Sequence, residues 1–472
     1  MEERRTLINI SRKTFLQVTV LLLVLMLAAA VLTYIVPKGR FGMNEDGTYD
    51  YSSYQETEEI KGIPVYKGLL APFLVFASDD GLTLIMLSLF LLVISSAFQV
   101  MDDTGGIKAL VSQVSSVFKG NRYLFVSAVS LLFMCFGAFL GLFEEMLTML
   151  PIAAALSVTM GFDRFTGFLI SIVSCGFGFA TAVTNPFTVL LASEIIGADP
   201  VAGIWFRLVI FAVMYLVLQI FIRLYIRKIE KDPAASLTGA VATGDNSGIK
   251  EDGPAEKDKK RLTLTYGIFL TLSLIIIVVC SFLPSVRSYS VVILTAYFLI
   301  MGILAGVISG APLKNVMKSF LRGITGALPT IVFIALAASV KYIFEEGMIM
   351  PTIVSAINRA ATGRDPFKIA IMIYAVVLVL EFFISSSTAK AILIMGILKA
   401  VEIGLTKNMS VLIYTFADGY TNVLFPTSPV LMIGLSMIGV DYFRWVKKSL
   451  PLFLVTLILV IGFLLLGITI GY

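Results

Sequence analysis

Histidine is absent from all 472 residues. That removes zinc sites of the HExxH kind, serine or cysteine nucleophiles activated by imidazole, and histidine proton relays. Cysteine is nearly as scarce: Cys135, Cys175 and Cys280 lie in apolar stretches with no CxxC spacing. They suggest neither a disulfide framework nor a thiolate metal site, and read as small buried hydrophobes. The sequence has no GxSxG elbow, no Walker loop and no second aspartate motif to partner the segment around Asp418, so it reads as a non-enzyme. Charge is the third shortage. Only 14% of residues are charged, against about a quarter in soluble domains. The net charge of +5 is too small and too scattered among apolar runs to suggest a nucleic-acid partner.

What fills the chain is apolar: 58% of residues are hydrophobic and the mean hydropathy is +0.94. The fold class expected is an all-α polytopic membrane protein, with the lipid bilayer as its solvent. Runs able to cross about 30 Å of hydrocarbon, at roughly 20 residues each, occur near 14–36, 81–101, 164–196, 203–229, 263–283, 290–309, 326–345, 409–437 and 449–470. That makes about nine spans. The first run follows a basic start, is longer than a signal-peptide core and has no small-residue cleavage site before Pro37, so it reads as a retained span. Two further stretches, 121–160 and 365–405, each hold two apolar arms around a polar tip: Glu144-Glu145 in the first, Ser385-Ser386-Ser387-Thr388 in the second. Each is read as a re-entrant hairpin, with a pair of short full spans as the alternative.

Residues 231–262 are rich in Gly, Ala, Asp and Lys without an apolar period, and read as a flexible cytoplasmic linker between an N-terminal unit (1–230) and a C-terminal unit (263–472). Basic residues at Arg4, Arg12, Arg227, Lys260, Lys318 and Lys447 fall on one side when nine spans and two hairpins are threaded from a cytoplasmic N-terminus. The expected location is the cytoplasmic (inner) membrane. The two units also repeat. Asp102-Asp103 matches Glu345-Glu346, Met160-Gly161-Phe162 matches Ile403-Gly404-Leu405, and Ile196-Gly197-Ala198-Asp199 matches Ile438-Gly439-Val440-Asp441, at an offset of about 242 to 243. Trp205 and Trp445, the only tryptophans, follow those last aspartates. In the threading the mates run oppositely, so the repeats are inverted, as in many secondary transporters.

After each hairpin comes a long apolar segment broken in its middle, by Ala182-Val183-Thr184-Asn185-Pro186 in one half and by the run from Thr421 and Asn422 to Thr427, Ser428 and Pro429 in the other. Proline removes a backbone donor, and non-helical backbone at membrane depth is tolerated only where it lines a polar cavity or is buried in protein. Two tips facing two breaks would make one central site; the alternative is that the prolines merely kink helices. Glu144 and Glu145 at such a depth should be paired, protonated or bound to a cation. Lys390 either snorkels to the interface or neutralises a glutamate. Asp418 is a further site residue or, alternatively, caps the broken helix through Gly419 and Thr421.

Three segments, Gly141-Leu142-Phe143-Glu144-Glu145, Val183-Thr184-Asn185-Pro186-Phe187, and Asp418-Gly419-Tyr420-Thr421-Asn422 with Phe425-Pro426-Thr427-Ser428, together resemble the anaerobic C4-dicarboxylate carrier family. The closer likeness is to its YfcC-like branch, described as basic amino acid antiporters. The resemblance implies a secondary transporter built on hairpins and broken helices, a homodimer, and a Ser385 to Thr388 tip that holds substrate carboxylates. Lys390 departs from the neutral polar residue expected in that branch. The reading that follows is carriage of an amino acid or short peptide, with a C4-dicarboxylate as alternative. Glu144 or Glu145 would meet a substrate ammonium or carry a proton, while the tip and Asn185 or Asn422 would bind the carboxylate. No cofactor is expected; H⁺ or Na⁺ coupling is, with Na⁺ near Asn185 and Asn422. A membrane enzyme or a sensor is the alternative from another class.

Overall fold

The computed structural model of the protein describes residues 12–43, 49–57, 62–78, 81–118, 121–239, 256–283, 286, 289–349, 351–352, 355, 365–382, 387, 391, 394–395, 398 and 404–472. Apolar runs with few charges leave the backbone no partner but itself in lipid, and the chain is accordingly almost all helix. In order these are α1 (Arg12–Ile35), α2 (Val65–Ala77), α3 (Gly81–Asp103), α4 (Gly106–Val117), α5 (Arg122–Leu140), α6 (Leu150–Thr159), α7 (Arg164–Ala180) and α8 (Pro186–Ile196). They continue as α9 (Ile204–Lys231), α10 (Glu256–Phe282), α11 (Ser290–Ile308), α12 (Leu313–Glu346), α13 (Pro366–Glu381), α14 (Lys407–Thr421), α15 (Pro429–Ile438) and α16 (Tyr442–Thr469). Side chains such as Leu27, Ile220, Ile300 and Ile458 stand out from α1, α9, α11 and α16. Exposed apolar faces on helices of this length belong against lipid, which makes the chain a multi-pass membrane protein.

Capping residues show the internal repetition. Side chains of Asn121 and Asp365 start α5 and α13, Asp163 and Thr406 start α7 and α14, and Asn185 and Ser428 start α8 and α15. Gly197 and Gly439, both left-handed, end α8 and α15. Mates also run oppositely where they touch. Ser95 Oγ donates to Gly323 O (3.1 Å), a Cβ on Gly323 would meet Ser96, and Leu84 packs near Val340 and Ile343, so α3 lies antiparallel to α12, whose second half is its repeat mate. An Arg322–Asp103 ion pair locks one end of this pair, and a Lys67–Glu346 pair ties the other end to α2.

The two broken helices cross at the centre. A Cβ on Gly176 would lie 2.3 Å from Val423 Cγ1, and one on Gly419 would lie 2.0 Å from Ala180 Cα. Between them Phe177 and Tyr420 meet edge to face with centroids 5.1 Å apart. Each contact joins positions that the repeat interchanges, at an offset of 243 (419 − 176, 420 − 177, 423 − 180). A pseudo-two-fold axis therefore passes through this crossing.

Several boundaries differ from those read in the sequence. The linker is shorter than 231–262: α10 already begins at Glu256, and Ser236 Oγ anchors the segment after α9 by donating to the buried Asp163 (2.6 Å). A helix of 27 residues outlasts the apolar stretch because Lys and Glu are good helix formers. For the same reason α12 starts at Leu313 and not near 326, carrying Pro329 inside, and α16 starts at Tyr442, seven residues before the apolar run. The antiparallel pair β1 (Gly39–Met43) and β2 (Tyr49–Glu56) and the short α2 were not foreseen. Of the matched tryptophans, Trp445 is buried and Trp205 exposed, so that correspondence is positional only.

Replacing Gly419 by Ala should lower the thermal midpoint in detergent by an amount equivalent to about 1–3 kcal/mol, the usual cost of forcing volume into a packed contact. Gly462→Ala, where an added Cβ meets nothing within 4 Å, should be neutral or slightly stabilising. Equal midpoints for the two variants would contradict the crossing.

Candidate functional site

In the first repeat the helix break is held by the hairpin arm before it. Backbone N–H groups of Val183 (2.9 Å) and Thr184 (3.2 Å) both donate to Ala138 O in α5, and Thr184 Oγ1 donates to Phe139 O (3.2 Å). Asn185 is fully buried: its Nδ2 donates to Gly137 O (3.1 Å), while Oδ1 accepts from Phe187 N (2.9 Å) and Thr188 N (3.3 Å). Gly141, at φ +69°, ends the arm where a Cβ would come within 2.5 Å of that same Oδ1. Thr184 and Asn185, expected to face substrate or Na⁺, here bond to the backbone of the preceding arm and of their own break. Both side chains are committed to pinning the tip onto the break, because freed backbone groups at this depth must find partners inside the protein.

The tip itself separates the two glutamates. Glu144 is exposed, whereas Glu145 is only 6% exposed at the start of a tight turn, Glu145–Thr148. Its Oε2 has no hydrogen-bond partner among the described residues. An uncompensated carboxylate buried in a membrane protein costs several kcal/mol, so Glu145 is stable there as the neutral acid or with a cation beside it. Cys175, on α7, donates to Leu142 O and so fastens the tip from the other side.

In the second repeat the break between α14 and α15 is covered by α16. Trp445 Nε1 donates to Val423 O (3.0 Å) and Tyr442 OH to Leu424 O (3.0 Å), which satisfies carbonyls released by the unwinding. Asp418 is fully buried and accepts from Ser387 Oγ (3.0 Å), and Tyr414 OH donates to Ser387 O. Asp418 thus joins α14 to Ser387, in the stretch read from sequence as the second hairpin tip. Ser385, Ser386, Thr388 and Lys390 lie outside the described residues.

Beside this break lies a cleft of about 180 Å³ of empty space, lined by Glu381, Thr421, Asn422, Phe425, Thr427 and Ser428. Its enclosed part has room for about one water-sized group. Four of the residues singled out from sequence, Thr421, Asn422, Thr427 and Ser428, are brought together here. Glu381 was missed. It ends α13 after a run of apolar residues, is 4% exposed, and accepts a hydrogen bond from Thr421 Oγ1 (3.2 Å). The repeat offset was the available signal: it aligns Glu381 with Ala138, an acid with an alanine.

Long apolar helices packed with two helices broken in their middles belong to a multi-pass membrane transporter. The chain is a member of the C4-dicarboxylate anaerobic carrier family, DcuC, which matches residues 15–469. It is 27% identical to a protein of Escherichia coli K12 named "Putative basic amino acid antiporter YfcC", over 92% of this chain and 93% of that one. An uncharacterized protein of Haemophilus influenzae is 26% identical over 81% of this chain and 75% of its own length. Among solved structures, the YdaH transporter of Alcanivorax borkumensis superposes with a TM-score of 0.43 at 15% identity, covering 97% of this chain and 99% of that one. MtrF of Neisseria gonorrhoeae, described with a class of antimetabolite efflux pumps, gives 0.43 at 13% identity, covering 95% and 94%.

Asn185→Ala should destabilise the protein by more than the roughly 1 kcal/mol of an ordinary lost cap, since Gly137 O also loses its donor. Asn185→Ser, which keeps a capping oxygen, should recover part of the loss in a thermal unfolding series.

Proposed function

We propose that the chain is a secondary active transporter that moves an amino acid or short peptide across the cytoplasmic (inner) membrane. It works by alternating access, on an ion gradient or by exchange, with its N-terminus in the cytoplasm. The observation that carries this reading is the reciprocal crossing of the two broken helices, with a buried acid beside each: Glu145 at the first hairpin tip and Glu381 beside the second break. Inverted repeats that meet at broken helices are the arrangement by which transporters present one central site to either side. The likeness to the E. coli protein named for basic amino acid antiport supports an amine-bearing substrate.

Glu145 is the coupling group in this reading, because it is buried with an oxygen unpartnered among the described residues, and Glu144 is not, because it is exposed. The family description favours a second reading, a C4-dicarboxylate. That reading requires Glu145 and Glu381 to be neutral or cation-bound whenever substrate is present, since like charges at low dielectric repel strongly.

Purified protein in proteoliposomes under imposed pH and Na⁺ gradients should accumulate or exchange labelled amino acids, with lysine, ornithine or neutral amino acids competing. Competition by succinate and fumarate alone would replace this reading with the dicarboxylate one. Glu145→Gln should lose gradient-driven accumulation while keeping exchange, and Glu144→Gln should have a much smaller effect. Wild-type behaviour of Glu145→Gln in both assays would remove it from the transport cycle.

A further inference from the structure

We propose that the Glu381 pocket is the seat of a primary ammonium group of the transported solute, which makes Glu381 the residue that selects amine-bearing substrates. The inference rests on the amino-acid reading above and assigns it a location.

Three observations carry it. The first is an asymmetry between the repeats. Glu381 and Thr421 stand at the positions that Ala138 and Gly178 occupy in the first repeat, at the same offset of 243 (381 − 138, 421 − 178). In the first repeat the two backbones close on each other: a Cβ on Gly178 would lie 1.9 Å from Met134 O and 3.0 Å from Ala138 N. In the second repeat the same place holds a carboxylate, a hydroxyl that donates to it at 3.2 Å, and a cleft. A shared architecture that packs shut in one copy has no packing need for a buried acid in the other, and burying one is expensive.

The second observation is the chemistry of the lining. Glu381 supplies negative charge, Asn422 an amide oxygen, and Thr421, Thr427 and Ser428 hydroxyl oxygens. An ammonium carries three donors and no acceptor, and this set offers it acceptors from several sides. Among the described residues no Lys or Arg lines the pocket, so Glu381 would repel a substrate carboxylate there. The Phe425 ring forms one wall, where it can face a cation through its π system and pack against an adjoining methylene.

The third is size. The enclosed part of the cleft holds about one water-sized group, enough for an ammonium head and too small for a whole amino acid or a dicarboxylate. The rest of the solute then extends through the open side.

The test uses the full chain in proteoliposomes, with lysine, methylammonium, succinate and Na⁺ as probes and thermal shift in detergent as a second readout. In the wild-type protein lysine and methylammonium should both compete with the labelled amino acid. In Glu381→Gln the concentration of each needed for half-effect should rise about 10- to 100-fold, the usual worth of a hydrogen bond to a charged group. Thr421→Val should give a smaller rise in the same direction, and Glu194→Gln, on α8 away from the pocket, none. Unchanged lysine and methylammonium responses in Glu381→Gln, with amino-acid transport intact, would overturn the inference and leave the transport reading standing. A response to succinate alone in the wild type would remove both. Loss of the Na⁺ dependence in Glu381→Gln with the amine response unchanged would make the pocket a metal-ion site and also overturn it. Should Glu381→Gln not fold, Thr421→Val decides: no change in its amine response counts against the proposal.

Discussion

Everything central in this protein depends on two glycines. Gly176 and Gly419 let the two broken helices approach until backbone meets side chain, and no residue with a Cβ fits at either position without displacing its neighbour. In lipid there is no hydrophobic force to press helices together, so close van der Waals packing at small residues has to hold them. The contact is reciprocal, with Val423 against Gly176 and Ala180 against Gly419, and Phe177 and Tyr420 share the axis between them. Once that crossing is set, both helix breaks are fixed relative to each other, and so is the first hairpin arm that bonds to one of them.

Each break then creates a demand for hydrogen-bond partners that the surroundings meet differently. In the first repeat the hairpin arm answers, through Ala138 O, Gly137 O and Phe139 O. In the second repeat α16 answers, through Trp445 and Tyr442, and the arm is left free to bring Glu381 to Thr421. This division of labour leaves the first half of the centre closely packed around its break and the second half with a polar cleft. With Glu381 and Thr421 at the places of Ala138 and Gly178, the two halves of the centre differ in polarity although they share an architecture.

Much of the fold was legible because hydropathy is a local property. A run of about twenty apolar residues needs no knowledge of its neighbours to be read as a membrane helix. The breaks at Asn185-Pro186 and at Asn422 to Pro429 were legible for the same reason, since proline excludes a helical hydrogen bond wherever it sits. The repeat was readable from Gly197 and Gly439, which end helices in a left-handed conformation that favours glycine. Boundaries such as the starts of α10 and α12 were not readable, because charged residues that leave the bilayer still continue a helix.

By itself the sequence determined the class of protein, the rough position of its apolar helices, the location of the helix breaks and the offset that relates the halves. Tertiary structure alone decided what the polar groups at those breaks do. Asn185 looks like a ligand in one dimension; in three it also caps its own helix through Phe187 and Thr188 N–H and tethers it to Gly137 O, 48 residues away. Glu381 looks like the end of an apolar arm and becomes the acid of the pocket, because Thr421, 40 residues on, folds back beside it. Side-chain type sets what a group can bond to. Which partner it reaches is set by contacts between distant segments, and no local pattern encodes those.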